Sequence, residues 1–366
     1  MRIAFYFIHR ETLGEFQRAW SIAQRLSCNH DVLFINAGTE FIPMQTSAHL
    51  SVMHLPHPFA DKNTLRYGTR QATTPEVVRI RAQQLQKSIA AFAPDLFITT
   101  SFPFMFAESM YELLPSIQHA KQQGARIIAS TGYPMATMLK PQLFKLYDEV
   151  WMHCPKELDA TYLAREYPDD LCIKMCDTLE QEGKLVYTNY ILPDESRIEQ
   201  QPEQDFLFIS RGSGVLGEKL VAEGTNAAKK LNVPYKVVHG ITEKNQTNTQ
   251  HSVAYLDQAT FTKTLLQSRW SLSMAGYGTA VQLLYTKKSK SILMPKPARI
   301  DTEQYYRAHM LQELLGSVVL EEETLDVNAI AAAMHNAPEK PAKTISEDWF
   351  TGLDVVEKQV KSWLYA

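Results

Sequence analysis

Two glycine-bearing turns in the second half of the chain have the residue types that hold phosphate. One is Arg211-Gly212-Ser213-Gly214-Val-Leu-Gly217; the other is Gly276-Tyr277-Gly278-Thr279. Each is expected between the carboxyl end of a strand and the start of a helix. There, free backbone N–H groups and the positive end of the helix dipole meet a ligand, and glycine lets it come close. Thr279 can cap its helix or donate to a phosphate oxygen. Arg211 can add a charge-assisted contact to a diphosphate, or stand as a solvated loop residue. Neither turn ends in Gly-Lys-Ser/Thr, so neither reads as a P-loop, and the first is not taken as a full G-x-G-x-x-G fingerprint.

Other polar groups converge on the same sheet end. Gln282 lies near the start of the helix after the second turn, where an amide can reach a ribose hydroxyl. Glu303 and Gln304 open a later helix and can hold sugar hydroxyls. A general base is sought beyond the first strand, where His9, Glu11 and Glu15 stand; His57, between two prolines, is a weaker choice. No Ser-His-Asp spacing is arguable. The four cysteines (Cys28, Cys154, Cys172, Cys176) form no disulfide framework, and Cys172 and Cys176 lack a partner pair for zinc. No metal site is expected, and reduced thiols suit a cytoplasmic protein.

These groups need a scaffold. At 366 residues, 45% of them hydrophobic, the chain is long enough for two domains. Apolar runs read as strands at Ile3–Ile8, Val32–Ile35, Leu50–Leu55, Leu96–Thr100, Arg126–Ala129, Glu149–His153 and Leu185–Ile191. Helices are expected at Phe16–Leu26 and Pro75–Phe92, around Tyr111, and from Pro155. The polar, proline-bearing stretch 193–204 reads as a linker. A second alternating series follows: strands at Asp205–Ser210, Tyr235–His239, Val253–Leu256, Trp270 onward, Ser291 onward and Val318–Leu320, and helices at Glu218–Leu231, Thr260–Gln267 and Val327–Met334. A last amphipathic helix spans Trp349–Leu364. Strands alternating with helices mean parallel sheets covered on both faces. The expected organisation is a domain at 1–192, the linker, a domain at 205–345, and a tail at 346–366, with the ligand in the crevice at the strands' carboxyl ends. A net charge of -3 gives no reason to expect nucleic acid. No apolar run reaches about 18 residues, so no membrane span is expected.

The stretch Ser273-Met-Ala-Gly-Tyr-Gly-Thr-Ala-Val-Gln282, with Ile292-Leu-Met-Pro295 and Arg299-Ile-Asp-Thr-Glu-Gln304-Tyr-Tyr-Arg-Ala308, resembles a known donor-binding segment. The segment it resembles is that of the family 28-like glycosyltransferases that include the peptidoglycan lipid-intermediate N-acetylglucosaminyltransferase, and it looks closer still to that of their bacterial predicted-glycosyltransferase relatives. Phe102-Pro-Phe, Glu112-Leu-Leu-Pro115, Tyr187-Thr-Asn-Tyr190 and the 211–217 turn extend the likeness weakly over most of the chain. The resemblance implies a GT-B fold: α/β, with two Rossmann-like doubly wound domains facing across a cleft. It also implies an inverting, metal-independent glycosyltransferase without cofactor that uses a nucleotide-sugar donor, most simply a UDP-sugar. Carried over, residues 276–279 face the donor phosphates and Gln282 takes the place of a ribose-binding Glu. Glu303 and Gln304 take the place of the sugar-contacting pair, and the base lies against Tyr255 and Leu256. The last helix is expected to cross back to the first domain. Many relatives have a Gly-His pair before the first helix; here Gly14 is followed by Glu15, leaving a carboxylate as base. The acceptor is left open: a glycan, a lipid-linked sugar, a protein or a small molecule, with peripheral membrane contact also open. The rival readings are a nucleotide-sugar hydrolase or 2-epimerase, and a non-catalytic nucleotide-sugar-binding protein.

Overall fold

The computed structural model describes residues 1–8, 13–38, 46–56, 75–104, 109–132, 141–160, 171–240, 249–298 and 302–364. They form two compact units. The first comprises Met1–Arg10, Ala19–Ile191 and Thr351–Ala366; the second comprises Glu11–Arg18 and Leu192–Phe350.

In the first unit the strands are β1 (Arg2–Phe7), β2 (Asp31–Asn36), β3 (Leu50–His54), β4 (Leu96–Thr100), β5 (Arg126–Thr131), β6 (Glu149–Met152) and β7 (Leu185–Tyr187). They form one sheet in the order β3-β2-β1-β4-β5-β6-β7, every pairing parallel. Helices α1 (Leu13–Ser27), α2 (Pro75–Phe92), α3 (Met110–Gln122) and α4 (Leu171–Gln181) connect them. Both sheet faces are covered, so the strands are continuous apolar runs rather than alternating ones: Ile3 to Phe7 and Leu96 to Ile98 are all buried. Helix α1 buries Phe16, Ala19, Trp20, Ile22, Ala23 and Leu26, and Trp20 meets the Phe34 ring edge-on at 5.1 Å. Under the carboxyl edge lies a buried ionic cluster. Arg81 of α2 donates to both carboxylate oxygens of Glu112 (2.6 and 2.9 Å) and to the Ala37 and Pro56 carbonyls, while the Tyr6 hydroxyl donates to Glu112. Phe102 and Phe104 are core residues.

The expected Trp349–Leu364 helix is split. A 3₁₀ turn covers Glu347–Phe350, and the helix proper, α10, runs Gly352–Ser362 and packs on the first unit. Asp354 pairs with Arg25 (2.7 Å), Gln359 donates to Glu149, and Trp363 stacks on Trp151 at 6.1 Å. A Cβ on Gly352 would stand 2.6 Å from the Tyr190 carbonyl oxygen, so only glycine fits this start.

The second unit has strands β8 (Gln204–Ser210), β9 (Tyr235–Val238), β10 (Ser252–Val253), β11 (Ser268–Ser273), β12 (Ser291–Leu293) and β13 (Val318–Val319). Its helices are α5 (Gly214–Leu231), α6 (Gln258–Gln267), α7 (Tyr277–Tyr285), α8 (Thr302–Leu315) and α9 (Val327–Asn336). The sheet is parallel throughout, in the order β10-β9-β8-β11-β12-β13. Leu207, Ile209, Leu272 and Met274 of the strands share one core with Leu216 and Leu220 of α5 and Ile330 and Met334 of α9. Helix α5 begins at Gly214, four residues before the expected Glu218, and β10 ends at Val253 rather than Leu256. Among the described residues no helix is long and apolar enough to cross a membrane.

Candidate functional site

The strand order of the second unit reverses between β8 and β11. Connections after these two strands leave in opposite directions, which opens a crevice at their carboxyl ends, where open α/β sheets bind ligands. The two glycine turns of the sequence are the segments that follow β8 and β11.

After β8 the chain makes a tight turn with Gly212 at φ +70° and Gly214 at φ +66°, both in the left-handed region. A Cβ on Gly212 would stand 2.5 Å from the Met274 sulfur, and one on Gly217 would stand 2.5 Å from the Arg211 carbonyl oxygen. Gly212, Gly214 and Gly217 therefore do keep the G-x-G-x-x-G spacing. They serve a tight turn at Gly212 and Gly214 and close packing at Gly217, and the spacing corrects the sequence reading of this turn. The acidic residue that a dinucleotide site carries at the end of the next strand is missing: His239 stands there, its Nε2 against Ser252 Oγ at 2.5 Å. Burial, and then the Arg211 cation, hold its imidazole below the ordinary pKa. Arg211 is not a solvated loop residue; it is buried and paired with Glu218 at 3.1 Å. Ser213, the N-cap of α5, is 5% exposed, makes no side-chain cap bond, and has its hydroxyl buried without a partner.

After β11, Gly276 is the N-cap of α7 and Gly278 and Thr279 lie in its first turn. Here too no side chain caps the helix. Elsewhere in the unit, Asp257 caps α6 and Asp326 caps α9, each accepting from a backbone N–H at 2.8 Å. Of the four helices of the unit whose caps are described, the two that start at the switch point are the ones without a side-chain cap. Gly276 has φ -66°, which any residue adopts, and a Cβ there would meet nothing within 4 Å. Neither backbone nor packing demands that glycine. The space over it is open.

The first turns of α1, up to Arg18, group with this unit. A Cβ on Gly14 would stand 3.1 Å from Gly278 N, and one on Gly278 would stand 3.1 Å from Gly14 Cα, so α1 and α7 meet glycine to glycine. One turn on, the Arg18 guanidinium lies over the Tyr277 ring at 4.8 Å, and Arg307 faces the same ring at 5.5 Å. Glu15 follows Gly14 and so sits in the turn that touches α7. His9, Glu11, His57 and the 299–301 segment lie outside the described residues.

The remaining candidates divide. Gln282 is 4% exposed, and its amide is fully engaged. It accepts from Thr262 Oγ1 (2.8 Å) and donates to Ser196 Oγ (2.8 Å) and Gln258 Oε1 (3.3 Å). It ties α7 and α6 to the chain entering the unit, which leaves no group turned to a ribose. Glu303 is bound to Arg307 at 2.6 Å, one turn along α8, and Gln304 is buried beside it. Tyr255 and Leu256 are half-buried just before the Asp257 cap. The Tyr255 hydroxyl accepts from Gln17 at 3.2 Å, and burial holds it above the ordinary phenol pKa. Arg18, Arg307 and His239 escaped the sequence reading. The Glu303–Arg307 spacing of four was a visible signal for one of them; Arg18 and His239 had none.

No family model and no curated protein matches the chain. Solved structures do. UGT2 of Phytolacca americana, complexed with UDP-2-fluoro-glucose and pterostilbene, is 12% identical with a TM-score of 0.59 over 100% of both chains. MurG of Acinetobacter baumannii is 14% identical with a TM-score of 0.52, over 98% of this chain and 94% of its own. The UDP-GlcNAc 2-epimerase of Methanocaldococcus jannaschii is 9% identical with a TM-score of 0.55 over 100% of both. Together with two parallel sheets, one of seven strands and one of six, these decide the architecture. The chain has the GT-B fold. Likeness at this level of identity is one of fold, and the switch point of the second unit is where such a fold offers its ligand crevice.

Proposed function

We propose that this GT-B chain is a glycosyltransferase that takes a sugar from a nucleotide-sugar donor and passes it to an acceptor hydroxyl with inversion and without a metal. The observation that carries the reading is the pair of uncapped helix N-termini, α5 and α7, converging at the switch point beside the unpartnered Ser213 hydroxyl. A diphosphate satisfies both termini. In the transfer, the acceptor oxygen attacks the anomeric carbon as the bond to the diphosphate oxygen breaks. The acceptor proton passes to a base, and the leaving charge settles on the helix ends. Glu15, beside the Gly14–Gly278 approach, is the base proposed, and a UDP-sugar is the donor proposed. Titration with UDP tests the reading directly: absence of binding at millimolar nucleotide removes it. Loss of turnover with retained UDP binding in Glu15→Ala is the result expected of the base.

The 2-epimerase among the structural neighbours favours a second reading, in which the same site acts on the nucleotide-sugar alone. Incubation with UDP-sugar and no acceptor separates the two, since an epimer or free sugar then accumulates. Binding without turnover in either assay would leave a nucleotide-sugar-binding protein.

A further inference from the structure

Four arginines are buried among the described residues: Arg18, Arg81, Arg211 and Arg307. Three have a glutamate within salt-bridge distance: Arg81 with Glu112, Arg211 with Glu218, Arg307 with Glu303. Arg18 has none. It is 3% exposed, its Nε is buried without a partner, and among the described residues no acceptor pairs with its guanidinium. What it touches is the face of Tyr277 at 4.8 Å.

A buried cation without a counter-ion is costly, and one ring face offsets only part of that cost. The placement adds to it. Tyr277 is the first residue of α7, whose uncapped amino end is itself positive, and Arg307 faces the same ring from α8. Glu303 answers the Arg307 charge, and among the described residues no carboxylate stands within salt-bridge distance of Arg18. The close approach of Gly14 to Gly278 is what brings Arg18 there, since Arg18 stands one helical turn beyond Gly14. A glycine-to-glycine contact that delivers an unpaired arginine to an uncapped helix end is a built anion site.

We propose that Arg18 is the cationic contact for the diphosphate of the ligand at the amino end of α7. The proposal rests on the nucleotide-sugar reading and deepens it. The diphosphate is held by a planar guanidinium presenting two parallel N–H donors as well as by backbone N–H groups. The first turns of α1 thereby belong to the donor site.

The test is calorimetric titration of the full chain with UDP, UMP and pyrophosphate, using wild type, Arg18→Met and Arg18→Lys, together with melting of each protein without ligand. Wild type is expected to bind UDP and pyrophosphate. Arg18→Met is expected to weaken both by about tenfold or more and to erase the advantage of UDP over UMP. Arg18→Lys, which keeps the charge and loses the fork, is expected to fall between. The unliganded Arg18→Met protein should melt at or above wild type, because an uncompensated charge has been removed. Equal UDP affinity in wild type and Arg18→Met overturns the proposal and leaves the nucleotide reading standing. Failure of wild type to bind either UDP or pyrophosphate overturns both. Arg18-dependent binding of pyrophosphate with no gain from the nucleoside keeps the arginine assignment and overturns the nucleotide reading. A lower unliganded melting point in Arg18→Met, with Arg18→Lys binding as wild type, makes the residue structural and overturns the proposal.

Discussion

Replacing Gly276 by alanine separates a ligand-binding glycine from a structural one. Its φ of -66° is open to alanine, and the added methyl meets nothing within 4 Å. The smaller entropy of the unfolded alanine chain stabilises by about 0.4–1 kcal/mol. The poorer N-cap quality of alanine opposes this by a similar amount. The net change is expected within about 1 kcal/mol, a melting shift of a few degrees at most. Binding is another matter. The methyl stands over the free N–H groups of α7, and losing one charge-assisted N–H contact to phosphate costs about 1.5–3 kcal/mol, or roughly ten- to 150-fold in the dissociation constant. Gly217→Ala is the control with the opposite profile. Its methyl would lie 2.5 Å from a backbone oxygen, and overpacking of that kind destabilises by about 1–3 kcal/mol while also distorting the 211–217 turn. Scanning fluorimetry and titration with UDP read both quantities on both variants. Gly276→Ala binding UDP like wild type would show that no phosphate sits at α7. A stability loss above about 2 kcal/mol would show that the space over Gly276 is not open.

Gln282→Ala is expected to lower stability by about 1–3 kcal/mol, because it removes the buried hydrogen bonds to the Thr262 and Ser196 hydroxyls, Thr262 keeping only the Gln258 carbonyl, and to leave UDP affinity unchanged. A large affinity loss with little loss of stability would restore a ribose role to this residue. Arg81→Met leaves Glu112 as a buried, unpaired carboxylate and is expected to cost about 3–5 kcal/mol in urea denaturation; a change below 1 kcal/mol would contradict that picture. Burial is the main cause that holds the Lys288 ammonium at a pKa of about 8, below the ordinary 10.5. Between those values the unfolded chain binds more protons. Stability from this group is therefore lowest below pH 8 and rises as pH climbs towards 10.5, by at most about 3 kcal/mol. Urea curves of wild type and Lys288→Met from pH 7.5 to 10 should diverge accordingly, and a pH-independent difference would refute the assignment.

The architecture was readable because parallel, doubly covered sheets leave a plain record in sequence. Leu96–Thr100 and Pro75–Phe92 appear in the structure with the bounds that their apolar runs suggest, and the alternation of strands and helices carries over into both sheets. Helix starts were less readable where glycine is the starting residue. Gly214 begins α5 although glycine is a poor helix former, because its φ of +66° is what the turn after β8 needs to enter the helix. The last helix was read as continuous because its apolar period runs through Trp349 and Leu353. The break at Thr351-Gly352 comes from the distant Tyr190 carbonyl, which no local pattern encodes.

Site roles failed to be readable for a related reason. A polar side chain is a candidate ligand only if the fold leaves it unpaired, and its partners are seldom near in sequence. Gln282 looked available beside the turn, but Ser196, 86 positions away, takes its amide. Arg18 drew no role from its sequence, yet it is buried against Tyr277 and, among the described residues, no carboxylate stands within salt-bridge distance of it. Residue type and spacing located the phosphate-friendly turns, since backbone N–H groups at a helix start are local property of the chain. Which side chains attend them is decided by satisfaction of hydrogen bonds and charges across the unit. By that criterion Arg18 and Ser213, whose Nε and hydroxyl are buried without a partner among the described residues, are better candidates for the proposed anion than the saturated Gln282.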